Sequence, residues 1–142
     1  MSKKLKILFS AIEAVGHMNA CVGLAQVLIA SGHECIFSIS KHWEGKLVKY
    51  GIKEHLLANY KVDGDDDPGT YFSRKFIDSS AIGEYSALKK RKAVWRNIYS
   101  TFEDIFKVVD NDLEGIIRNL KPDVIIVDNV FTLPCVVKSG IP

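Results

Sequence analysis

A histidine and an aspartate have the types and positions of a proton-transfer pair. His17 follows Gly16 in a short turn between a predicted strand and a predicted helix. An imidazole at a helix start is disfavoured in its charged form, so it can act as a proton acceptor. Asp128 ends the apolar run DVIIVD, and a carboxylate bonded to one ring nitrogen would orient the imidazole and stabilise its protonated form. Together the two residues predict general-base chemistry.

Each of the two residues also has an ordinary structural interpretation. His17 could be a surface or capping histidine, and Asp128 could cap the helix that follows through Asn129 and Val130. The catalytic interpretation requires the two residues to meet in space, although they lie far apart along the chain. The elements around them must therefore place both at one edge of the fold.

Strands and helices alternate along the chain in the pattern of a doubly wound α/β domain. Four apolar runs predict strands at Leu5 to Ala11, Glu34 to Ser40, Ile52 to Leu57 and Asp123 to Asp128. Helices are predicted from a cap at Asn19 to Gly32, around Trp43 and Leu47 up to Gly51, over one or two long segments from about Ile82 to Leu120, and from Phe131 to Ser139. The acidic segment 60–70 predicts a surface loop. This order predicts a Rossmann-like parallel sheet with His17 and Asp128 at its carboxyl edge, where ligands bind.

The composition indicates an ordinary globular domain that acts on small molecules. The chain has 142 residues, of which 47% are hydrophobic and 25% charged, and this length supports one core. A net charge of +2 creates no large field, so we expect no nucleic-acid or membrane partner. No apolar run approaches the roughly 18 residues of a membrane span. Cys21, Cys35 and Cys135 form no disulfide framework, which is typical of a cytosolic protein with reduced thiols.

Motifs for other cofactors and for metals are incomplete. The turn AIEAVGH has one glycine where G-x-G-x-x-G needs three, and the second strand ends in Ser38 and Ser40 without an acidic ribose ligand. This argues against a dehydrogenase. The acidic residues 63–67 resemble the start of an EF-hand loop, but Pro68 and Arg74 stand where that loop needs Gly and Glu. The sequence therefore predicts neither a bound cofactor nor a metal.

Substrate-binding candidates lie beside the pair and in an aromatic-rich region after the third strand. Most of the aromatic residues there belong to a core, but some fall on predicted connections near the carboxyl edge and could line an apolar pocket. The candidates are Gly16, Met18, Asn19, Tyr71, Phe72, Phe76, Asn129 and Phe131.

Two segments of the chain resemble a known family. KILFSAIEAVGHMNACVGLAQVLIASGHECIFSIS is similar to the opening of UDP-glycosyltransferases of the GT-B fold, with a Gly-His-x-Asn turn between strand and helix. PDVIIVDNVFTLPCVVKSGIP is similar to a later strand of that family, which ends in Asp before a helix and a Gly-Ile-Pro. The resemblance spans nearly the whole chain and is specific at these two ends.

The resemblance implies the N-terminal, acceptor-binding half of a GT-B enzyme, with the family's base at His17 and its partner at Asp128. Members transfer a sugar from a UDP-sugar to a hydroxyl of a small lipophilic acceptor with inversion and without a metal. Their donor-binding signature belongs to a second domain, which these residues lack. We therefore expect a fragment, inactive alone and cut as a new strand begins at Ile141. The alternative is a non-catalytic module of the same fold that binds a small molecule.

Overall fold

A four-stranded, all-parallel sheet lies at the centre of the computed structural model, which describes residues 3–61, 67–78, 83 and 85–142. The strands are β1 (Lys6–Ala11), β2 (Glu34–Ile39), β3 (Lys53–Leu56) and β4 (Val124–Asp128), in the spatial order β3-β2-β1-β4. The chain moves outward from β1 to β3 and then crosses to the other side of β1. This reversal is the topological switch point of a doubly wound sheet, and it lies between β1 and β4. The predicted fold is confirmed.

Both faces of the sheet are covered, which explains why its strands are continuous apolar runs. On one face, Ile7 and Phe9 of β1 pack under helix α1 (Val15–Ala30). On the other face, Leu8 packs against the long helix α4 (Ser100–Leu120). Consecutive residues of β1 are therefore buried on opposite sides, as the alternation of side chains along a strand requires.

Helix α1 begins earlier than the sequence predicts. Val15 is its first residue, Ala14 occupies the capping position without a side-chain cap, and the amide of Met18 donates to the Ala14 carbonyl at 2.9 Å. The prediction of Asn19 as the cap is wrong, because burial of Met18 against the sheet extends the helix toward its amino end. His17 therefore lies inside the first helical turn. Gly32 follows the helix with φ +90°, in the position predicted for it.

The segment after β2 forms two short 3₁₀ turns in place of the predicted helix. They span Lys41–Trp43 and Val48–Tyr50, and the second ends at Gly51 in the left-handed conformation. After β3, helix α2 (Pro68–Asp78) occupies residues that the sequence assigns in part to a loop. Asp67 starts this helix, since its carboxylate accepts hydrogen bonds from the amide and the hydroxyl of Thr70 at 3.0 and 2.6 Å.

A continuous helical region precedes β4, as predicted. It consists of α3 (Ala87–Ala93), a π-helical segment (Val94–Tyr99) and α4. The predicted start at Ile82 lies outside the described residues. Of the helices that the structure describes, each is too short or too polar to cross a membrane.

The chain after β4 is less helical than predicted. Helix α5 (Pro134–Ser139) is preceded by non-helical residues from Phe131 to Leu133, because Pro134 favours the first helical position. Ile141 and Pro142 form no strand, although the Ile125 amide donates to the Pro142 carbonyl at 2.8 Å.

Candidate active site

His17 and Asp128 lie in contact at the carboxyl edge of the sheet. The Nδ1 atom of His17 is 3.0 Å from Oδ2 of Asp128. The two side chains are 44% and 36% exposed, so a substrate can approach the pair from solvent. The structure thus brings together the two residues that the sequence singles out.

Strand register explains this contact. Asp128 is the last residue of β4 and lies opposite Ala11, the last residue of β1, and its carbonyl accepts a hydrogen bond from the Ile12 amide at 3.0 Å. Val124 and Ile126 of β4 pack on the α1 side of the sheet. Asp128 follows them at intervals of two residues, so its side chain also points toward α1.

The pair has the arrangement that a general base needs. If the Nδ1–H of His17 donates to Asp128, the lone pair of Nε2 remains available to accept a proton. The adjacent carboxylate then stabilises the imidazolium that forms. This chemistry suits the deprotonation of a hydroxyl group.

A third group from α1 contacts the same carboxylate. Cys21 lies one helical turn after His17, and its Sγ is 3.8 Å from Oδ2 of Asp128. Burial, and secondly the negative charge of Asp128, raises the pKa of the Cys21 thiol to about 11. Cys21 is therefore a protonated, weak hydrogen-bond donor to Asp128 at neutral pH.

Glu13 is a buried acidic residue that the sequence analysis did not identify. It lies on the connection between β1 and α1 and is 4% exposed. Its carboxylate accepts hydrogen bonds from the backbone amide and from the hydroxyl of Ser40. Burial raises the pKa of Glu13 to about 7, while the Ser40 hydrogen bonds and the charge of Lys46 oppose the increase. The one feature of the local sequence that could have drawn attention to Glu13 is its acidic side chain inside an apolar turn.

An aromatic cavity of about 570 Å³ lies between the helical region before β4 and the segment after it. Trp95 and Tyr99 of the π-helical segment stack with their ring centroids 4.3 Å apart, and Phe131 meets Tyr99 edge to face at 5.5 Å. The lining residues are Trp95, Tyr99, Ser100, Glu103, Phe106, Lys107, Asp110, Phe131, Thr132, Leu133 and Pro134. Such a cavity suits a small apolar ligand.

A narrower cleft of about 30 Å³ adjoins this cavity, since Phe106 lines both. The cleft reaches the ends of β1 and β4, where Glu13 and Asn129 contribute to its wall. His17 and Asp128 line neither space. The pair therefore lies beside the cavity system and outside its walls.

The predicted aromatic contacts are divided between these two spaces. Tyr71, Phe72 and Phe76 belong to α2, and the prediction that they lie on connections is wrong. Phe72 lines the narrow cleft and stacks on Phe102 at 4.6 Å, whereas Tyr71 and Phe76 line neither space. Phe131 lines the aromatic cavity.

The candidates beside the pair differ in their accessibility. Gly16 and Asn19 are exposed on α1, and Asn129 lines the narrow cleft while its side-chain oxygen accepts a hydrogen bond from the Val130 amide at 2.8 Å. Met18 requires a correction, because its side chain is 1% exposed and packs in the core under α1. Met18 cannot contact a ligand at the surface.

Trp95 and Tyr99 are lining residues that sequence reasoning did not assign to the site. Their four-residue spacing matches a buried helical stripe, yet Trp95 is 58% exposed. π-helical segments are rare and often accompany functional sites. The local sequence contains no reliable signal for a π-helical segment.

Comparison with known proteins shows the fold. No family model matches the chain, and no curated protein matches it. Among solved structures, the chain is similar to the calicheamicin glycosyltransferase CalG4, with a TM-score of 0.57 and 14% identity over 89% of this chain. The chain spans 27% of that structure's length. The domain therefore has the Rossmann-like architecture that forms half of a GT-B glycosyltransferase.

Proposed function

We propose that this chain is the acceptor-binding half of an inverting, UDP-sugar-dependent glycosyltransferase of the cytosol. The observation that carries the proposal is the 3.0 Å contact between His17 and Asp128 at the switch point of the sheet. The fold likeness to a glycosyltransferase supports sugar transfer in general. The choice of UDP-sugar and of a lipophilic acceptor rests on the sequence resemblance.

The proposed reaction is a single displacement at the anomeric carbon. Nε2 of His17 takes the proton of the acceptor hydroxyl as its oxygen attacks that carbon. The new bond joins the acceptor oxygen to the sugar, and the bond from the anomeric carbon to the UDP oxygen breaks with its electron pair. Asp128 stabilises the imidazolium that results.

The aromatic cavity is the proposed site for the apolar body of the acceptor. Four of its eleven lining residues are aromatic, and the adjoining cleft leads toward the ends of β1 and β4. An acceptor seated there would extend its hydroxyl past the rim of the cavity to reach His17. The UDP-sugar would be held mainly by a second domain, as the resemblance implies.

The test replaces the base in the protein that carries this chain. With UDP-glucose and a small phenol as substrates, His17→Ala should lower kcat by about 10² to 10⁴ while binding of UDP-glucose persists. His42→Ala is the matched control, since His42 is an exposed histidine on the 3₁₀ turn after β2. Equal turnover of His17→Ala and the wild type would refute the assignment.

A non-catalytic binding module is the second candidate. It is favoured by one observation, that His17 and Asp128 line neither the aromatic cavity nor the narrow cleft. A protein of this kind would bind the phenol in the calorimeter yet release no UDP from any UDP-sugar. Release of UDP that depends on the phenol would exclude it.

A further inference from the structure

Glu13 occupies an unusual position for an acidic residue. In the part of the chain that the structure describes, it is the one charged side chain in the buried class. It lies on the short connection that leaves β1 at Ala11 and enters α1 at Val15. His17 lies two residues after Val15. The path of this connection therefore determines where the imidazole lies.

The carboxylate joins this connection to the neighbouring strand. Ser40 immediately follows β2 and donates two hydrogen bonds to Glu13, one from its backbone amide and one from its hydroxyl. Because β2 lies beside β1 in the sheet, these bonds fix the connection to a rigid element. Charge-assisted hydrogen bonds of this kind are stronger than neutral ones.

The opposite side of the connection is closed by α2. A Cβ atom at Gly69, in the first turn of α2, would lie 3.4 Å from the Glu13 carbonyl oxygen and from Cα of Ala14. The main chain of the connection is therefore packed between the end of β2 and the start of α2. Loss of the Ser40 contacts would free one side of it.

The ionisable groups around Glu13 come from three further segments. The charge of Lys46, between the two 3₁₀ turns, favours the ionised carboxylate. The Tyr60 hydroxyl, after β3, is buried near Glu13, and burial followed by the Glu13 charge raises the pKa of Tyr60. Asp67 lies against Gly69 at the start of α2 and is itself bonded to Thr70.

We propose that Glu13 is a positioning residue for the transfer reaction, and that its ionised carboxylate holds the connection so that His17 remains bonded to Asp128. This inference rests on the proposed function and adds regulation by pH to it. An ionised carboxylate accepts both hydrogen bonds from Ser40 with the assistance of its charge, whereas a protonated carboxyl makes both contacts only as neutral, weaker hydrogen bonds, with its own hydroxyl donating to the Ser40 hydroxyl oxygen. Protonation of Glu13 therefore weakens the attachment of the connection to Ser40, so that His17 is held less firmly against Asp128.

The variants that test this are Glu13→Gln and Ser40→Ala. Gln keeps the shape of Glu but carries no charge at any pH, and Ala at position 40 removes one of the two donors. The matched control is Glu44→Gln, because Glu44 is an exposed acidic residue paired with Lys41 on the nearby 3₁₀ turn. Circular dichroism establishes that each variant is folded.

Kinetics should show a change in kcat and not in KM for UDP-glucose. We expect Glu13→Gln to lower kcat at pH 8 by about 10-fold, less than the 10²-fold that a misplacement of 1 Å can cost. The ratio of wild-type to Glu13→Gln kcat should rise between pH 6 and pH 8, since Glu13 titrates near 7. Ser40→Ala should lower kcat less, and Glu44→Gln should match the wild type.

A second measurement does not depend on activity. In ¹⁵N spectra of the histidine-labelled protein at pH 8, Nε2 of His17 should have the shift of an unprotonated nitrogen in the wild type, because Nδ1–H is bonded to Asp128. In Glu13→Gln it should move toward the average of both tautomers. Unchanged spectra together with an unchanged kcat ratio across pH would overturn the positioning role.

The two proposals fail in different ways. If His17→Ala retains full turnover, the assignment of the base is wrong whatever Glu13 does. If His17→Ala is inactive while Glu13→Gln matches the wild type in kcat at every pH, the base stands and the role of Glu13 is refuted.

Discussion

The buried carboxylate of Glu13 makes the folding stability of this domain depend on pH in an unusual direction. Burial raises its pKa from an ordinary 4.5 to about 7. A raised carboxyl pKa means that the native state binds the proton more tightly than the unfolded chain does. Between pH 4.5 and 7 the unfolded state releases this proton and is stabilised relative to the native state. The stability contributed by Glu13 therefore falls as pH rises through that window.

The size of the effect follows from the interval between the two pKa values. At 1.36 kcal/mol for each pH unit, the interval from 4.5 to about 7 corresponds to about 3 kcal/mol. The loss is complete above about pH 8, where Glu13 is ionised in both states. For a domain with an unfolding free energy of about 5 to 15 kcal/mol, this is a large fraction.

Glu13→Gln isolates this contribution, because the amide has no proton to release. Urea unfolding followed by far-ultraviolet circular dichroism at pH 4.5, 6, 7 and 8 gives the free energy of unfolding of both proteins. The difference in the free energy of unfolding, variant minus wild type, should increase by about 3 kcal/mol between the lowest and the highest pH. Glu44→Gln, an exposed control, should follow the wild type throughout. Parallel curves for Glu13→Gln and wild type would show that Glu13 is not buried as described.

Two further predictions concern the proposed active site. Asp128→Asn should lower kcat by about 10²-fold or more, because an amide cannot stabilise the imidazolium. Steady-state rates with the phenol would measure the loss of kcat. A loss below threefold would contradict the role of Asp128. Trp95→Ala should weaken binding of the phenol by about 1 kcal/mol, close to fivefold, because a stacking wall of the cavity is removed. Calorimetry would measure this with Trp43→Phe as control, and an unchanged affinity would place the acceptor elsewhere.

The strands and the meeting of His17 with Asp128 could be predicted from sequence for one physical reason. Strands buried on both faces are continuous apolar runs, and the carboxyl ends of parallel strands share one edge. A residue that ends β4 and a residue just after β1 must therefore lie near each other once β4 is placed beside β1. The observed order of strands meets this condition.

The features that escaped prediction depend on contacts distant in sequence. Glu13 acquires its importance from Ser40, 27 residues away, and no local pattern links the two. Asn19 has the side chain of a cap, but burial of Met18 moves the helix start to Val15. In both cases tertiary packing outweighs the preference of a single residue.

The contact between His17 and Asp128 also depends on the opposite end of β4. There Asp123 accepts a hydrogen bond from the Lys6 amide at 2.9 Å, and its own amide donates to the Lys6 carbonyl at 2.8 Å. These bonds lock β4 to β1 about 17 Å from Asp128, at 3.3 Å per residue. Losing a single residue between Asp123 and Asp128 would turn the carboxylate to the α4 face. The length of this strand is thus as essential to the pair as the identity of its last residue.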